Sequence, residues 1–195
     1  MKKIILATVV LLLITASSFA QTKVWKADKA HSKVGFAISH LVVSEVEGKF
    51  SDYEATVTTD EKGKLQKVEA IIKVASVNTD NEARDKHLRS DDFFSAEKFP
   101  EITFVSKSIK SSGKNGYKIT GDFTMHGVTK SVTLDTKFNG EIKDPWGNTK
   151  SGWVATTTVN RFDYGLSWSK AVETGGLVVG KDVDISLKLE FGLQK

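Results

Sequence analysis

The chain has no cysteine. Disulfides, thiolate metal sites, cysteine nucleophiles and lipid attachment to an N-terminal thiol are thereby excluded, and the fold must stand on its core alone. Proline is scarce: Pro100 and Pro145 are the two in 195 residues, so extended segments can run long without losing a ladder donor. Long apolar runs are scarce as well. The longest, Ile4 to Ile14, has eleven residues, well short of the about 20 that a membrane-crossing helix needs. Charge of one sign is also missing. With 28 lysines and arginines against 24 acidic residues, there is no electrostatic footprint for nucleic acid.

What is present begins with a leader. Lys2 and Lys3 precede the apolar run, and Ser18-Phe19-Ala20 forms a small-x-small cleavage site. Residues 1–20 therefore read as a cleaved signal peptide, which puts the working protein in the periplasm or outside the cell. Residues 21–195 number 175, a length that fits one domain with a sizeable core. Loss of Lys2 and Lys3 lowers the formal charge from +4 to +2.

From Val34 onward, apolar and polar residues alternate, as in strands with one face buried. Val34, Phe36 and Ile38 share one parity; so do Tyr53, Ala55 and Val57, then Val68, Ala70, Ile72 and Val74. Ile102 and Phe104, Tyr117 to Met125, Val132 to Phe138, Trp153 to Val159 and Val183 to Phe191 continue the pattern. About eight strands result. Turn chemistry separates them at Asp60 to Gly63, Ser111 to Gly116, His126-Gly127, Asn139-Gly140 and Asp144 to Asn148. Links this short make antiparallel neighbours. A closed barrel is favoured over a sandwich because it hides one apolar face and leaves no edge. Thr79 with Glu82 reads as a capping box that opens a helical insertion over about 79–98, with Glu82–Lys86 and Asp85–Arg89 spaced for ion pairs.

Chemistry-bearing motifs are weak. His31, His40, His87 and His126 show no metal-ligand spacing, so no metal and no cofactor are expected. Gly175 to Asp182 approaches a phosphate-binding loop but ends in Asp182 instead of a hydroxyl residue. Gly165-Leu166-Ser167-Trp168-Ser169 lacks the second glycine of a nucleophile elbow. Asp91 and Asp92 read as solvated or capping acids. The densest segment runs from Arg84 to Phe94. It is either a charged surface helix whose Phe93 and Phe94 plug one end of the core, or a place where Arg84, His87 and Arg89 meet a polar headgroup.

Several motifs in order carry a resemblance: Trp25 to Asp28, His31-Ser32, Val34 to His40, Gly48-Lys49-Phe50, Arg84 to Phe94, Phe99 to Phe104, Gly121 to Lys130, Asn160 to Gly165, and Gly180 to Glu190. On these the chain resembles the bacterial YceI-like, polyisoprenoid-binding proteins over almost its whole length beyond the leader, departing at Ser95, where an acid is common. The resemblance implies an all-β, extended antiparallel barrel of lipocalin type, whose lumen takes an isoprenoid or other long-chain lipid, with no enzymatic activity. Parity then nominates lumen residues: Phe36, Ile38, Val57, Ile72, Val74, Phe104, Ile119, Phe123, Leu134, Phe138, Trp153, Ile185 and Leu187. Arg84, His87, Arg89 and His126 are the candidates for a headgroup site or the lumen mouth. An enzyme acting on a hydrophobic small molecule and a ligand-free partner-binding barrel stay open, as do monomer and homodimer. Stable membrane insertion is not expected.

Overall fold

The computed structural model describes residues 22–170 and 177–194; the expected leader lies outside them. Among the described residues one antiparallel sheet contains β1 (Thr22–Ala27), β2 (Lys33–His40), β3 (Ser44–Phe50), β4 (Tyr53–Asp60), β5 (Leu65–Lys73), β6 (Val77–Asn78), β7 (Glu101–Ser111), β8 (Gly116–Met125), β9 (Val128–Lys143), β10 (Thr149–Asn160) and β11 (Val179–Leu193). Among the described residues a single α-helix, α1 (Glu82–Arg89), stands between β6 and β7.

The sheet closes because β1 pairs with β4 on one side and β11 on the other. Three pairs of short strands each fill one barrel position. β11 pairs with β1 through Ala27↔Phe191 and, further along, with β2 through Lys33↔Lys188. Between them Asp28 caps a 3-10 turn, its carboxylate accepting from the Ala30 N–H. In the same way β3 and β4 lie along β2 and β1, and β6 continues β5. The architecture is a closed eight-position antiparallel barrel, and no described helix is long and apolar enough to cross a membrane.

Alternation drives the strands inward as expected. Along β4, Tyr53, Ala55, Val57 and Thr59 are buried while Glu54 is exposed. Buried apolar side chains of this kind each contribute about 1.5–3 kcal/mol. The β8–β9 connection is a tight turn at His126-Gly127, both at positive φ (51° and 74°), a geometry that glycine adopts without cost.

Four expectations are corrected. Asn139-Gly140 is not a turn: both residues lie inside β9, where Gly140 (φ 134°) faces Gly152 at a register shift, so the pair marks a β-bulge. The helix is shorter than 79–98 and is capped by Asn81, whose side chain accepts from the Arg84 N–H. Thr79 is buried instead, donating its hydroxyl to Asp85 and accepting from Arg84 Nε. That bond draws Asp85 inward, so it does not reach Arg89, and the Glu82–Lys86 pair is not formed either. Finally, Val74 sits in a 3-10 turn after β5 and not on a strand.

Candidate functional site: an apolar cavity in the barrel

The inward faces do not fill the lumen. They leave an apolar cavity of about 180 Å³. Of the nominated residues, Phe36, Ile38, Ile72, Phe104, Phe123, Leu134, Ile185 and Leu187 line it. On β11 every second residue from Val183 to Phe191 faces it, the signature of a strand whose inner side is wall. Leu88 of α1 with Phe93 and Phe94 closes one end. Rings connect this plug to the strands: Phe94 lies 6.0 Å from Phe50, and Phe50 lies 5.7 Å from Phe36, centroid to centroid.

The remaining nominees sit elsewhere. Val57, Phe138 and Trp153 line a separate cavity of about 50 Å³ near the opposite end, together with Trp25 and Tyr117. Ile119 and Val74 are packed in the core and touch neither space. Val57, Phe138 and Trp153 have inward parity but stand at a different height along the barrel, whereas Ile119, directly across from Leu134, is covered by its neighbours in the core.

Among the described residues the wall is apolar apart from Tyr53, Thr157 and Arg161. Arg161 is 2 % exposed and among the described residues pairs with no carboxylate. Its Nε donates to Gly180 O at 2.7 Å and its Nη2 to Val179 O at 3.2 Å, while Nη1 reaches Leu166 O. Burial pulls its pKa below the usual guanidinium value. These bonds tie the segment after β10 to the start of β11, and the charge thereby serves the frame of the site. No signal in the sequence marked Leu166 or Val179 as lining residues, and Arg161 stood in the Asn160 to Gly165 motif without a role. Phe50 was within reach of its Gly48-Lys49-Phe50 motif.

The four headgroup candidates lie around the plugged end, yet none lines the cavity and the structure does not gather them into one cluster. Arg84 is spent on Thr79, through Oγ1 at 2.7 Å and the carbonyl at 2.8 Å. His87 Nε2 meets Asp92 at 2.9 Å, and its ring packs edge-on against Phe93 and Trp168. Arg89 lines a shallow polar groove with Asp80, Asn81, Glu82 and Asp85. His126 is held by the Tyr164 carbonyl at 3.0 Å and packs edge-on against Phe99.

A polar cluster at the β1–β2 bend has no local sequence spacing, because Glu190 and Lys150 are far in sequence from Asp28 and His31. Asp28, His31 and Glu190 bring ligand-type atoms within 4.8 Å of one another. A cation already serves them: Lys150 Nζ stands 2.8 Å from Asp28 and 3.1 Å from Glu190. The Lys150 hydrogen bond, supported by His31, lowers the Asp28 pKa to about 2. This cluster fixes the bend that lets β1 and β2 share one edge of β11.

A UPF0312 protein of Staphylococcus aureus (strain MSSA476) is 42% identical over 170 residues, covering 86% of this chain and 96% of its own. The Campylobacter jejuni YceI protein, known by crystal structure, is 36% identical with a TM-score of 0.70, covering 86% of this chain and 96% of that one. A polyisoprenoid binding domain from Saccharophagus degradans, implicated in plant cell wall breakdown, shares the fold at a TM-score of 0.65 and 14% identity, over 86% of this chain and 97% of its own. The YceI-like domain model matches residues 25–191, and the chain belongs to the YceI-like family.

Proposed function

We propose that this protein is an exported lipid binder or carrier that holds the apolar chain of an isoprenoid or similar amphiphile inside the barrel. The observation that carries the reading is a closed barrel with an apolar interior space. Such a site gains free energy by removing hydrocarbon from water, at about 25 cal/mol per Å². The Saccharophagus degradans neighbour, a polyisoprenoid binding domain, supports the ligand class. The leader read from residues 1–20 supports export.

Binding fits the wall better than catalysis. Acid–base or nucleophilic chemistry needs a titratable or nucleophilic group that can reach the bound molecule. Among the described lining residues Arg161 has its nitrogens committed to backbone carbonyls, and the hydroxyls of Tyr53 and Thr157 have no carboxylate, imidazole or amine on the wall to take their proton. The test is mass spectrometry of an organic-solvent extract of the purified protein. A stoichiometric long-chain lipid, recovered intact, is the expected result. An empty extract, together with no uptake of polyprenols or long-chain quinones, would refute the reading; turnover of such a lipid would make the protein an enzyme.

A further inference from the structure

We propose that the β2–β3 hairpin tip is a membrane-docking finger through which the barrel meets a lipid bilayer. The proposal rests on the lipid-carrier reading above, and its test separates the two. The tip is Leu41-Val42-Val43, and these three consecutive aliphatic residues are 41%, 66% and 85% exposed. Leu41 and Val42 both hold positive φ, 53° and 65°, in a turn closed by the Val43 N–H donating to the His40 carbonyl at 3.3 Å. Such a turn normally takes Asn-Gly. A β-branched valine at positive φ is sterically strained, and none of the three side chains belongs to the hydrophobic core. Neither turn geometry nor packing accounts for three aliphatic residues here.

Position points to what does. The tip lies at the plugged end of the barrel. The Leu41 N–H donates to the Val178 carbonyl at 2.8 Å, and Val179 pairs with His40. Ile38, on the finger's own strand, and Val179, beside it, both line the cavity. The exposed tip therefore stands beside the end of the cavity wall, with His40 between it and Ile38. An amphiphile that fits this wall is insoluble and resides in bilayers, so the cavity end that admits it must approach one. A narrow convex tip of uncharged aliphatic residues is too small for a protein interface of about 800 Å² per partner. It suits shallow entry among acyl chains, where a few apolar side chains add up without a shaped partner. A second exposed apolar pair, Ile142 (70%) at the end of β9 and Trp146 (84%) on the β9–β10 turn, sits at the far end and supplies a control.

The experiment is cosedimentation of the purified protein with sucrose-loaded phosphatidylcholine vesicles, for the parent, Val42→Ser/Val43→Ser and Ile142→Ser/Trp146→Ser. The parent should bind. The finger variant should bind at least ten-fold more weakly, and the far-end variant should match the parent. The far-end variant should melt with the parent, since its changed side chains are exposed, and the finger variant at or slightly above it, since Val42→Ser removes a β-branched side chain from positive φ. A fluorescent polyene fatty acid supplies the second readout. Delivered from ethanol it should bind the finger variant as well as the parent; delivered from vesicles it should reach the finger variant at least ten-fold more slowly. Equal vesicle binding by the finger variant, loss of binding in the far-end variant, or a parent that ignores vesicles would each overturn the proposal. So would dimerisation of the parent that the finger substitutions abolish without any vesicle binding, because the tip would then serve a second copy. Vesicle binding by the parent with no probe uptake from ethanol would refute the carrier reading and leave the docking finger standing.

Discussion

Replacing Gly48 by alanine sets a methyl group against a ring that shapes the cavity. Gly48 lies directly across from Phe36 in the β2–β3 pairing, with both positions facing inward. A Cβ on Gly48 would stand 2.2 Å from Phe36 Cζ and 2.6 and 2.9 Å from the two Cε atoms. Relaxed carbon contacts need about 3.5–4.0 Å, so the ring must retreat by roughly 1 Å or more. Phe50 already stands 5.7 Å away, and the free direction is the cavity. Overpacking of this kind costs about 1–3 kcal/mol. The conformational gain of alanine over glycine in a strand returns about 0.5–1 kcal/mol. A net loss of about 0.5–2 kcal/mol is expected in urea denaturation, with weaker binding of a fluorescent long-chain probe because the displaced ring occupies ligand space. Gly48→Ala/Phe36→Leu should recover both, since leucine has no ring to displace. Unchanged stability and binding in Gly48→Ala, or no recovery in the double variant, would refute the placement of the Phe36 ring over Gly48.

Phe123→Asp should abolish probe binding or weaken the fold by several kcal/mol, because it puts a carboxylate into an apolar wall. Phe123→Leu should lower affinity and keep most stability, while Lys33→Ser and Lys118→Ser, on outward faces, should stay within about 0.5 kcal/mol of the parent; binding titrations and melts check all four. At the β1–β2 bend, the Asp28 pKa is depressed from 3.8 to about 2, so its contribution is full above about pH 4 and is lost as pH falls through 2. With a side chain 25% exposed, that contribution is about 1–2 kcal/mol. Asp28→Asn should cost this much at pH 7 and converge on the parent near pH 2 in urea midpoints; a gap that stays constant from pH 7 to 2 would remove the Lys150 pairing as its cause.

Parity made the barrel legible. Phe36, Ile185 and Leu187 face inward as their alternation requires, and the eight positions follow from strands bounded by polar turns. The strands that alternation missed have specific reasons. In β3 the inward series Val46, Gly48, Phe50 is interrupted by a glycine, and a ring from the neighbouring strand fills the gap. β1 is short and separated from β2 by a bend that depends on Lys150 and Glu190, far away in sequence. Parity also carries no information about height. Val57 and Phe138 point inward as surely as Phe104, yet they belong to the smaller cavity near the other end. Charge was the least legible feature. Arg84, His87 and Arg89 looked available for a headgroup, but Thr79, Asp92 and a polar groove engage them, whereas the charged residue on the cavity wall is Arg161, in a stretch that alternation does not describe.

The size of the cavity constrains how a carrier of this shape can work. About 180 Å³ is close to the roughly 150 Å³ that admits a benzene ring and below the about 300–1,000 Å³ of ordinary ligand pockets. A chain-like lipid therefore has to displace wall residues. The strands resist, since each is hydrogen-bonded on both sides through much of its length and spreading them would break ladders. The plug resists less: Phe93 and Phe94 belong to a segment of turns held by local bonds, Phe93 N–H to Ser90 O and Phe94 N–H to Leu88 O. Moving Phe94 uncouples one edge-on ring contact with Phe50, worth about 0.5–1.5 kcal/mol beyond area, and the incoming chain replaces the apolar contact that the ring gives up. Expansion at the plugged end thus costs less than expansion of the barrel. That is also the end where the exposed Leu41-Val42-Val43 tip stands, so the soft part of the wall and the proposed bilayer contact coincide.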